Sequence, residues 1–173
     1  MNTYLEFEKP IEQLDNKVHE LKSLNDNAPS DNLLEEITQV EEQINETYRK
    51  IYSSISPWQR TLVARHPQRP KTREYIQNLI DDFFPLSGDR FFSEDKAILG
   101  GFGKFRGKTV LVIGHEKGHD TTSRIEHNFG MPRPEGYRKA QRLMKLAEDF
   151  DIPVISFVDT PGAYPGVGAE QRG

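Results

Sequence analysis

The residues best suited to chemistry lie near the end of the chain, in a loop rich in glycine and proline. The apolar run 152–158 before it is typical of a buried strand, and Asp159 opens the loop. Glycines let a ligand approach the main chain, while prolines stiffen the backbone around it. Because open α/β sheets bind ligands where parallel strands end, the loop is a candidate active-site wall that acts through backbone amides. A surface turn that closes a βαβ unit is the alternative.

Two short motifs imitate a nucleotide-hydrolase site. Gly107-Lys108-Thr109 resembles the end of the phosphate-binding motif G-x-x-x-x-G-K-[ST], but Phe102 stands where the first glycine is required. The motif also opens a predicted strand, whereas a phosphate-binding loop opens a helix. Asp159-Thr160-Pro161-Gly162 similarly imitates the D-x-x-G of GTPases. A GTPase-like nucleotide hydrolase is therefore kept only as an alternative function.

A basic segment, 58–73, carries five cationic residues and no acidic residue. Arginine binds phosphate through paired hydrogen bonds, so one interpretation is a phosphate-bearing ligand such as a nucleotide-like cofactor tail. Ion pairing with an acidic region or a partner subunit is the other. Nucleic acid is disfavoured, because the whole chain has a net charge of −4. The candidate ligand or interface residues are Arg60, Arg65, Arg69 and Arg73.

Two histidines have the spacing of a helical zinc pair. His115 and His119 lie four residues apart, but Gly114 and Gly118 disfavour a helix there. Because the sequence offers no evident third ligand, we expect no metal site in this chain.

The elements that position these residues begin with two amphipathic helices joined by a short turn. Residues 1–56 carry five basic and twelve acidic side chains, a net charge of −7, while the remainder carries +3. Such an acidic helical hairpin is typical of a packing or assembly element. The predicted apolar stripes are Ile11, Leu14, Val18 and Leu21 in the first helix, and Ile37, Val40, Ile44, Tyr48, Ile51 and Ile55 in the second.

The rest of the chain reads as a mixture of strands and helices. An amphipathic helix is predicted over 71–84, and a β-hairpin over 97–114 whose glycines indicate a bulge or a close backbone contact. A long loop and a helix over 136–150 then lead to the final strand, so 108–158 predicts a parallel βαβ crossover. The predicted buried face of that helix is Tyr137, Ala140, Leu143, Met144, Ala147 and Phe150.

Composition and chain ends add further expectations. The absence of cysteine excludes disulfides and thiolate nucleophiles, and no apolar run approaches the ~20 residues of a membrane span. The first residues do not resemble a secretion signal, so a cytoplasmic protein is expected. Too few elements follow the final strand to cover it, so we expect a fragment, or a chain that a partner completes.

Seven motifs, in order along nearly the whole chain, resemble the carboxyltransferase alpha subunit of bacterial and plastid acetyl-CoA carboxylase. Each is modest alone, but together and in this order they are highly specific. They are Tyr4-Leu5-Glu6-Phe7-Glu8-Lys9-Pro10, Pro57-Trp58-Gln59-Arg60, Ala64-Arg65-His66-Pro67-Gln68-Arg69-Pro70, Gly88-Asp89-Arg90, Asn128-Phe129-Gly130-Met131, Pro134-Glu135-Gly136-Tyr137-Arg138-Lys139-Ala140 and Asp159-Thr160-Pro161-Gly162-Ala163-Tyr164-Pro165-Gly166.

The resemblance implies an α/β, crotonase-like (ClpP/crotonase) fold of ββα units, incomplete at the C-terminus and preceded by the helical hairpin. The implied domains are an acidic helical arm (1–56), a basic linker and helix (57–95) and the first part of the carboxyltransferase domain (96–173). The implied reaction moves a carboxyl group from carboxybiotin, held on a biotin carboxyl carrier protein, to acetyl-CoA, giving malonyl-CoA for fatty acid synthesis. The alternative to an enzyme is a non-enzymatic assembly subunit.

The resemblance also implies partners and site residues. The partners are a beta subunit that completes an α2β2 heterotetramer, the carrier protein and biotin carboxylase. Oxyanion-hole glycines are expected beyond residue 173, so this chain alone is expected to be inactive. The four arginines become candidates for the phosphates of CoA or for an interface. The loop that lines the carboxybiotin side is Gly162, Ala163, Tyr164, Pro165 and Gly166.

Overall fold

A computed structural model describes residues 3–173, which form two compact units divided in the sequence between Arg69 and Pro70. The first unit is helical and the second contains a β-sheet. These two units are defined by packing and do not test the predicted division into three domains, which stays a prediction. No helix among residues 3–173 is both long enough and apolar enough to cross a membrane.

The helical unit contains the predicted hairpin. Its helices are α1 (Lys9–Asn27), α2 (Asp31–Tyr52) and α3 (Pro57–Ala64). The buried positions of α1 and α2 come from the predicted stripes and pack together as Val18, Leu21, Ile37 and Val40. Ser56 caps α3, since its Oγ accepts a hydrogen bond from the Gln59 amide at 3.2 Å. Because α2 ends at Tyr52, Ile55 of the predicted stripe lies outside that helix.

The sheet unit has four strands in the order β1-β2-β3-β4. The strands are β1 (Asp81–Pro85), β2 (Ile98–Phe105), β3 (Lys108–His115) and β4 (Val154–Phe157). The helices are α4 (Thr72–Leu79), α5 (Thr121–Glu126), α6 (Pro134–Asp149) and α7 (Val167–Arg172). The first two strand pairs are antiparallel, while β3 and β4 are parallel as predicted. The α/β class with a mixed sheet is confirmed.

Successive residues of β3 point to opposite faces of the sheet, and both faces are covered. Leu111 and Ile113 pack with Leu143 and Ala147 of α6. On the other face, Val110 and Val112 pack with Ile76 and Ile80. The sheet is therefore a layer between helices, which fixes the direction in which its strands end.

The predicted β-hairpin is confirmed, and so is the close backbone contact at its glycines. Arg106 and Gly107 have φ values of +49° and +78°, as a two-residue hairpin turn requires. A Cβ at Gly101 would overlap the carbonyl oxygen of Phe84, and one at Gly103 would overlap the side chain of Ile80. These glycines make room for β1.

The predicted helix over 71–84 is wrong after Leu79. The chain turns at Ile80, Asp82 takes a φ of +51°, and β1 pairs with β2 through a register shift. Phe84 opposes Phe102, and Pro85 opposes Gly101. Helical periodicity alone could not reveal this strand, because its partner lies about twenty residues later in the sequence.

Three other expectations need correction. Tyr137, Met144 and Phe150 are exposed by 47%, 47% and 70%, so the predicted buried face of α6 is partly wrong. Leu143 and Ala147 are buried as predicted, and the buried positions that the prediction missed are Glu135, Gly136 and Lys139. Strand β4 is shorter than predicted and half open, because β3 alone pairs with it among the described strands. The long loop contains α5 and a 3-10 turn at Asn128–Gly130.

Candidate functional site

The candidate site lies at the carboxyl ends of β3 and β4. Gly114 pairs with Phe157 at the last step of this parallel ladder, so the chain leaves both strands at the same edge of the sheet. Segment 115–118 follows β3, and loop 158–166 follows β4. This edge is where open α/β sheets bind ligands, so the structure puts the predicted loop at a suitable place.

Loop 158–166 is fixed to the segment that precedes α6. The Thr160 Oγ1 lies 2.6 Å from the carbonyl oxygen of Gly130 and accepts the Gly162 amide at 3.0 Å. The Tyr164 amide donates to the carbonyl oxygen of Pro132 at 3.0 Å. The guanidinium of Arg133 lies 5.0 Å from the centre of the Tyr164 ring, a cation–π contact. The loop is therefore held at both ends.

Two glycines of this loop are required for different reasons. Gly162 has a φ of +150°, which residues with a Cβ rarely adopt, although a Cβ at this position would meet no other atom. A Cβ at Gly166 would overlap the Tyr164 ring. Gly162 is needed for backbone conformation, and Gly166 for the space in which the tyrosine lies.

The loop offers fewer free amides than its sequence suggests. The amides of Gly162 and Tyr164 are already hydrogen-bonded, and Pro165 has none. Within residues 3–173, the amides of Ala163 and Gly166 have no hydrogen-bond partner. Both amides are backbone donors that a ligand can use.

A groove of about 500 Å³ runs beside the loop. Its walls are mostly apolar and aromatic, and Arg138 and Glu170 contribute charges of opposite sign. This volume is within the range of small-molecule sites. The lining residues that belong to the loop or to the start of α6 are Pro132, Pro134, Tyr137, Arg138, Ala163 and Tyr164.

Charged groups beside the loop are paired or bonded to the backbone. Lys117 Nζ lies 2.5 Å from Asp159 Oδ1, which joins the segments after β3 and β4. Glu116 is 1% exposed and accepts the amides of Arg73 and Gly118 at 3.0 and 2.9 Å. Burial lowers the pKa of His115, so its ring is neutral at pH 7.

A second group of buried charges fixes the start of α6. Arg138 Nε donates to Asp89 Oδ2 at 2.8 Å, and Arg172 pairs with Glu135. Burial alone would raise the pKa of Asp89, but the amides of 91–93 and the Arg138 guanidinium hold it well below its usual range. Burial would likewise raise the pKa of Glu135, whereas the hydrogen bond from Arg172 lowers it. These pairs hold the helix that carries Tyr137 and Arg138 against neighbouring segments.

The four predicted arginines belong to several different elements, and none of them belongs to loop 158–166. Arg60 belongs to α3, Arg65 follows that helix, and Arg69 ends the helical unit, whereas Arg73 lies in α4 of the sheet unit. All four side chains are exposed. Within residues 3–173 none of them forms an ion pair with an acidic side chain. Their role in binding CoA phosphates or a partner stays a prediction.

His115 and His119 do not lie on one helix, which agrees with the expectation from Gly114 and Gly118. His115 ends β3, Gly118 has a φ of +73°, and α5 begins only at Thr121. In the part of the chain that the structure describes, no three His, Asp or Glu side chains are grouped as metal ligands.

The two nucleotide-hydrolase motifs lie at opposite ends of the sheet. Lys108 opens β3, whereas Asp159 follows the carboxyl end of the parallel strand β4. Eight residues of strand separate these ends by about 23 Å. A nucleotide could not bridge the two motifs as it does in a GTPase, so the geometry disfavours this alternative.

Sequence reasoning missed several residues that build the site, above all Asp89, Lys139 and Thr160. Lys139 had a usable signal, because it lies on the same face of α6 as Leu143 and is therefore a lysine on an apolar stripe. A buried lysine requires a partner, and its Nζ donates to Glu94 and to the carbonyl oxygen of Asp95. Asp89 also accepts three amides that lie only two to four residues further on, but its bond to Arg138 and the bond of Thr160 to Gly130 join distant segments, which spacing does not reveal.

A family model and the curated relatives of this chain point to the same family. A family model described as acetyl co-enzyme A carboxylase carboxyltransferase-like matches residues 4–173. The acetyl-coenzyme A carboxylase carboxyl transferase subunit alpha of Paramagnetospirillum magneticum is 56% identical over 169 residues, which is 98% of this chain and 53% of the relative. The subunit of the same name from Rhodopseudomonas palustris CGA009 is 56% identical over 173 residues, 100% of this chain and 53% of the relative.

The solved structures are less similar to this chain than the curated relatives are. A single-chain, multi-domain long-chain acyl-CoA carboxylase aligns with a TM-score of 0.48 and 26% identity, over 63% of this chain and 11% of that one. The chain spans about half the length of the curated relatives it matches. The family match nevertheless extends over all but the first three residues, and the chain belongs to the acetyl co-enzyme A carboxylase carboxyltransferase-like family.

Proposed function

We propose that this chain is the carboxyltransferase alpha subunit of an acetyl-CoA carboxylase, or a part of it, and transfers a carboxyl group from carboxybiotin to acetyl-CoA. The observation that carries the proposal is 55–56% identity over the whole chain to relatives of that name. The proposal includes a crotonase-like fold and a beta subunit in an α2β2 assembly. It also includes a biotin carboxyl carrier protein and biotin carboxylase, and a cytoplasmic location.

The described geometry supports a carboxybiotin-side wall made of backbone. The carboxylated biotin of the carrier supplies the carboxyl group that acetyl-CoA accepts. The free amides of Ala163 and Gly166 offer hydrogen bonds to an anionic oxygen, and Tyr164 and Tyr137 offer an apolar wall beside them. Donors held in place by a rigid loop stabilise developing charge without reorganising, which is the general advantage of an oxyanion hole.

The side chains beside the loop do not offer an obvious acid–base pair. Asp159 is paired with Lys117, and Glu116 accepts two backbone amides. His115 is neutral at pH 7, and its buried Nδ1 has no hydrogen-bond partner among the described residues. Asp159 and Glu116 are thus already occupied, and of these three groups only the neutral His115 ring could accept a proton. This arrangement agrees with a reaction in which the protein mainly stabilises anions and positions substrates.

The direct test is reconstitution. The full-length chain, purified with its beta subunit and biotinylated carrier protein, should form malonyl-CoA from acetyl-CoA and carboxylated carrier. Neither subunit alone should do so. A complete complex that assembles and transfers no carboxyl group would overturn the proposal, and would favour a non-enzymatic assembly subunit.

Within the active complex, Gly166→Ala tests the loop. Because the added Cβ displaces the Tyr164 ring, we expect kcat to fall about 100-fold, as when one oxyanion donor is lost. Gly168→Ala is the matched control, since its Cβ would meet only the end of the flexible Arg172 side chain. Equal activity of the two variants, with equal assembly on gel filtration, would show that the loop is an ordinary turn.

The basic residues have a separate test. Charge reversal at Arg65 and Arg69 should weaken either CoA affinity or subunit assembly if they bind phosphate or an acidic surface. If neither quantity changes, these exposed arginines are a solvated face.

A further inference from the structure

The hydroxyl group of Thr160 holds the beginning of loop 158–166. Thr160 follows β4 and is partly buried. Its Oγ1 accepts the amide of Gly162 at 3.0 Å, and it lies 2.6 Å from the carbonyl oxygen of Gly130 and 2.9 Å from that of Gly162. A hydroxyl has one hydrogen to donate, and the Gly130 oxygen is the nearer acceptor. One side chain thus contacts three backbone groups, in two segments that lie 30 residues apart in the sequence.

These contacts hold both peptide groups that flank Gly162. The N–H of the peptide group 161–162 points to Thr160 Oγ1, and the carbonyl oxygen of the peptide group 162–163 lies beside the same atom. Because glycine has no Cβ, its flanking peptide groups rotate at little steric cost. Without the Thr160 hydroxyl, the backbone at Gly162 would therefore have several accessible conformations.

The direction of the Ala163 amide follows from the same contacts. In a planar trans peptide group, the carbonyl oxygen and the N–H point in opposite directions, and no peptide bond among residues 3–173 is cis. Since the Gly162 carbonyl oxygen faces Thr160, the Ala163 N–H faces away from it. This amide has no hydrogen-bond partner within residues 3–173, and Ala163 lines the groove. Thr160 therefore sets the direction of a free backbone donor.

The loop is also held on the other side of Ala163. The Tyr164 amide donates to the carbonyl oxygen of Pro132 at 3.0 Å. Gly130, which Thr160 contacts, ends the 3-10 turn, and Pro132 lies just before α6. Ala163 is thus placed between two residues whose backbone is bound to the same segment.

The anchor at Gly130 is itself well fixed. Three consecutive residues, 128–130, have φ values of +46°, +55° and +74°, which residues with a Cβ rarely adopt. Asn128 Nδ2 donates to the carbonyl oxygen of Met131 at 2.7 Å. A Cβ at Gly130 would overlap the side chain of Lys117. Left-handed conformations persist where the surrounding structure enforces them, so the carbonyl oxygen that Thr160 contacts has a defined position.

A donor of fixed direction is suited to an anionic oxygen. Backbone amides stabilise developing charge best when they are already oriented, because nothing has to rearrange during the reaction. A hydroxyl that orients such an amide therefore contributes to the rate without contacting the substrate.

We propose that Thr160 is a positioning residue of the carboxyl-transfer site, which acts by directing the Ala163 amide toward an anionic oxygen of the bound substrate. The reaction in which it acts rests on the proposed function. The role depends on the hydroxyl group of Thr160 and not on the size of its side chain, and it involves no proton transfer.

The test compares two substitutions in the full-length chain, assembled with its beta subunit and supplied with acetyl-CoA and carboxylated carrier. Thr160→Val keeps the size of the side chain and removes the hydroxyl. We expect kcat to fall about 30-fold, less than the ~100-fold of losing an oxyanion donor outright, while KM stays within about threefold. Thr160→Ser keeps the hydroxyl and should retain kcat within about threefold of the wild type.

Thr109→Val is the control for the change from threonine to valine. Thr109 is exposed near the beginning of β3, at the end of the sheet opposite to the loop. This variant should leave kcat within about threefold.

Hydrogen exchange of the Gly162 amide in the assembled complex measures the loop without any reference to activity. Thr160→Val should speed this exchange about fivefold, because the amide loses its acceptor, whereas Thr160→Ser should leave it unchanged. Unchanged exchange in the valine variant would overturn the inference.

The outcomes separate this inference from the proposed function. A wild-type complex that assembles and transfers no carboxyl group would overturn the proposed function, and with it the role of Thr160 in that reaction. If the wild-type complex is active and Thr160→Val keeps its kcat, the inference alone is wrong. Equal losses of kcat in the valine and serine variants would also overturn it, since the hydroxyl would not be the cause. A loss of kcat that matches the loss of assembled complex on gel filtration would show a purely structural role.

Discussion

The α1–α2 hairpin and the segments packed against the start of α6 use charge in opposite ways. In the hairpin, Lys17 pairs with Glu36 and Lys22 with Glu41, and these side chains are about half exposed. In the sheet unit, the side chains of Lys139 and Asp89 are 2% and 1% exposed and form ion pairs across large sequence distances. Exposed pairs contribute little, whereas buried charges must be paired. The hairpin therefore depends on its apolar stripe, and the region around the candidate site depends on specific charged contacts.

The largest expected effect is at Lys139. Lys139→Met should lower the free energy of unfolding of the sheet unit by about 3 kcal/mol, because it leaves Glu94 and the Asp95 carbonyl oxygen without their buried donor. Hydrogen exchange of β3 amides measures the sheet unit. Fluorescence of Trp58, the single tryptophan, follows the helical unit and should be unchanged. A loss below about 1 kcal/mol would mean that apolar packing alone holds α6.

Truncation in the apolar core should have a similar or slightly smaller effect. Leu143 is 0% exposed and packs against Ile98, Leu111 and Ile113, so Leu143→Ala should cost about 3 kcal/mol through lost burial and a cavity. Leu24→Ala, at a residue 57% exposed on the hairpin, should change stability by less than about 0.5 kcal/mol. Urea unfolding measures the free energy of unfolding of both variants. Equal losses would contradict the expected difference between the buried and the exposed site.

A pH dependence should appear at Asp89. Its pKa is lowered in the folded chain, so the ionised carboxylate stabilises the fold at pH values above the unfolded pKa of about 3.9. That stabilisation disappears as the pH falls below this value towards the folded pKa. Asp89→Asn should therefore be less stable at pH 6 and should lose less stability between pH 4 and 3. Parallel acid-unfolding curves for the two proteins would contradict a stabilising role of the ionised Asp89 carboxylate.

The smallest expected effect is on the hairpin surface. Lys22→Met removes the pair with Glu41, whose side chains are 54% and 48% exposed, and should lower stability by less than about 0.5 kcal/mol. Thermal unfolding at low and high salt measures this. A loss as large as that of Lys139→Met would mean that charge stabilises both units in the same way.

Sequence reasoning worked best where contacts are local. The hairpin stripe and the β-hairpin over 97–114 were predicted, because neighbouring residues determine helix faces and tight turns. The parallel pairing of β3 with β4 is a distant contact, and it was predicted from the strand–helix–strand order of 108–158. It failed at 80–85, where helical periodicity competed with a distant strand. It also misassigned the buried face of α6, because Lys139 is buried only when Glu94 and Asp95 provide its partners.

For the candidate site, the sequence by itself determined which loop has the glycines and prolines, and which family the motifs resemble. The tertiary structure decided that the loop lies where β3 and β4 end together, and that Ala163 and Gly166 keep free amides. It also decided that the Tyr164 ring fills the space beside Gly166. The physical reason is that glycine and turn propensities act within a few residues, whereas hydrogen-bond partners and burial come from segments brought together only by folding.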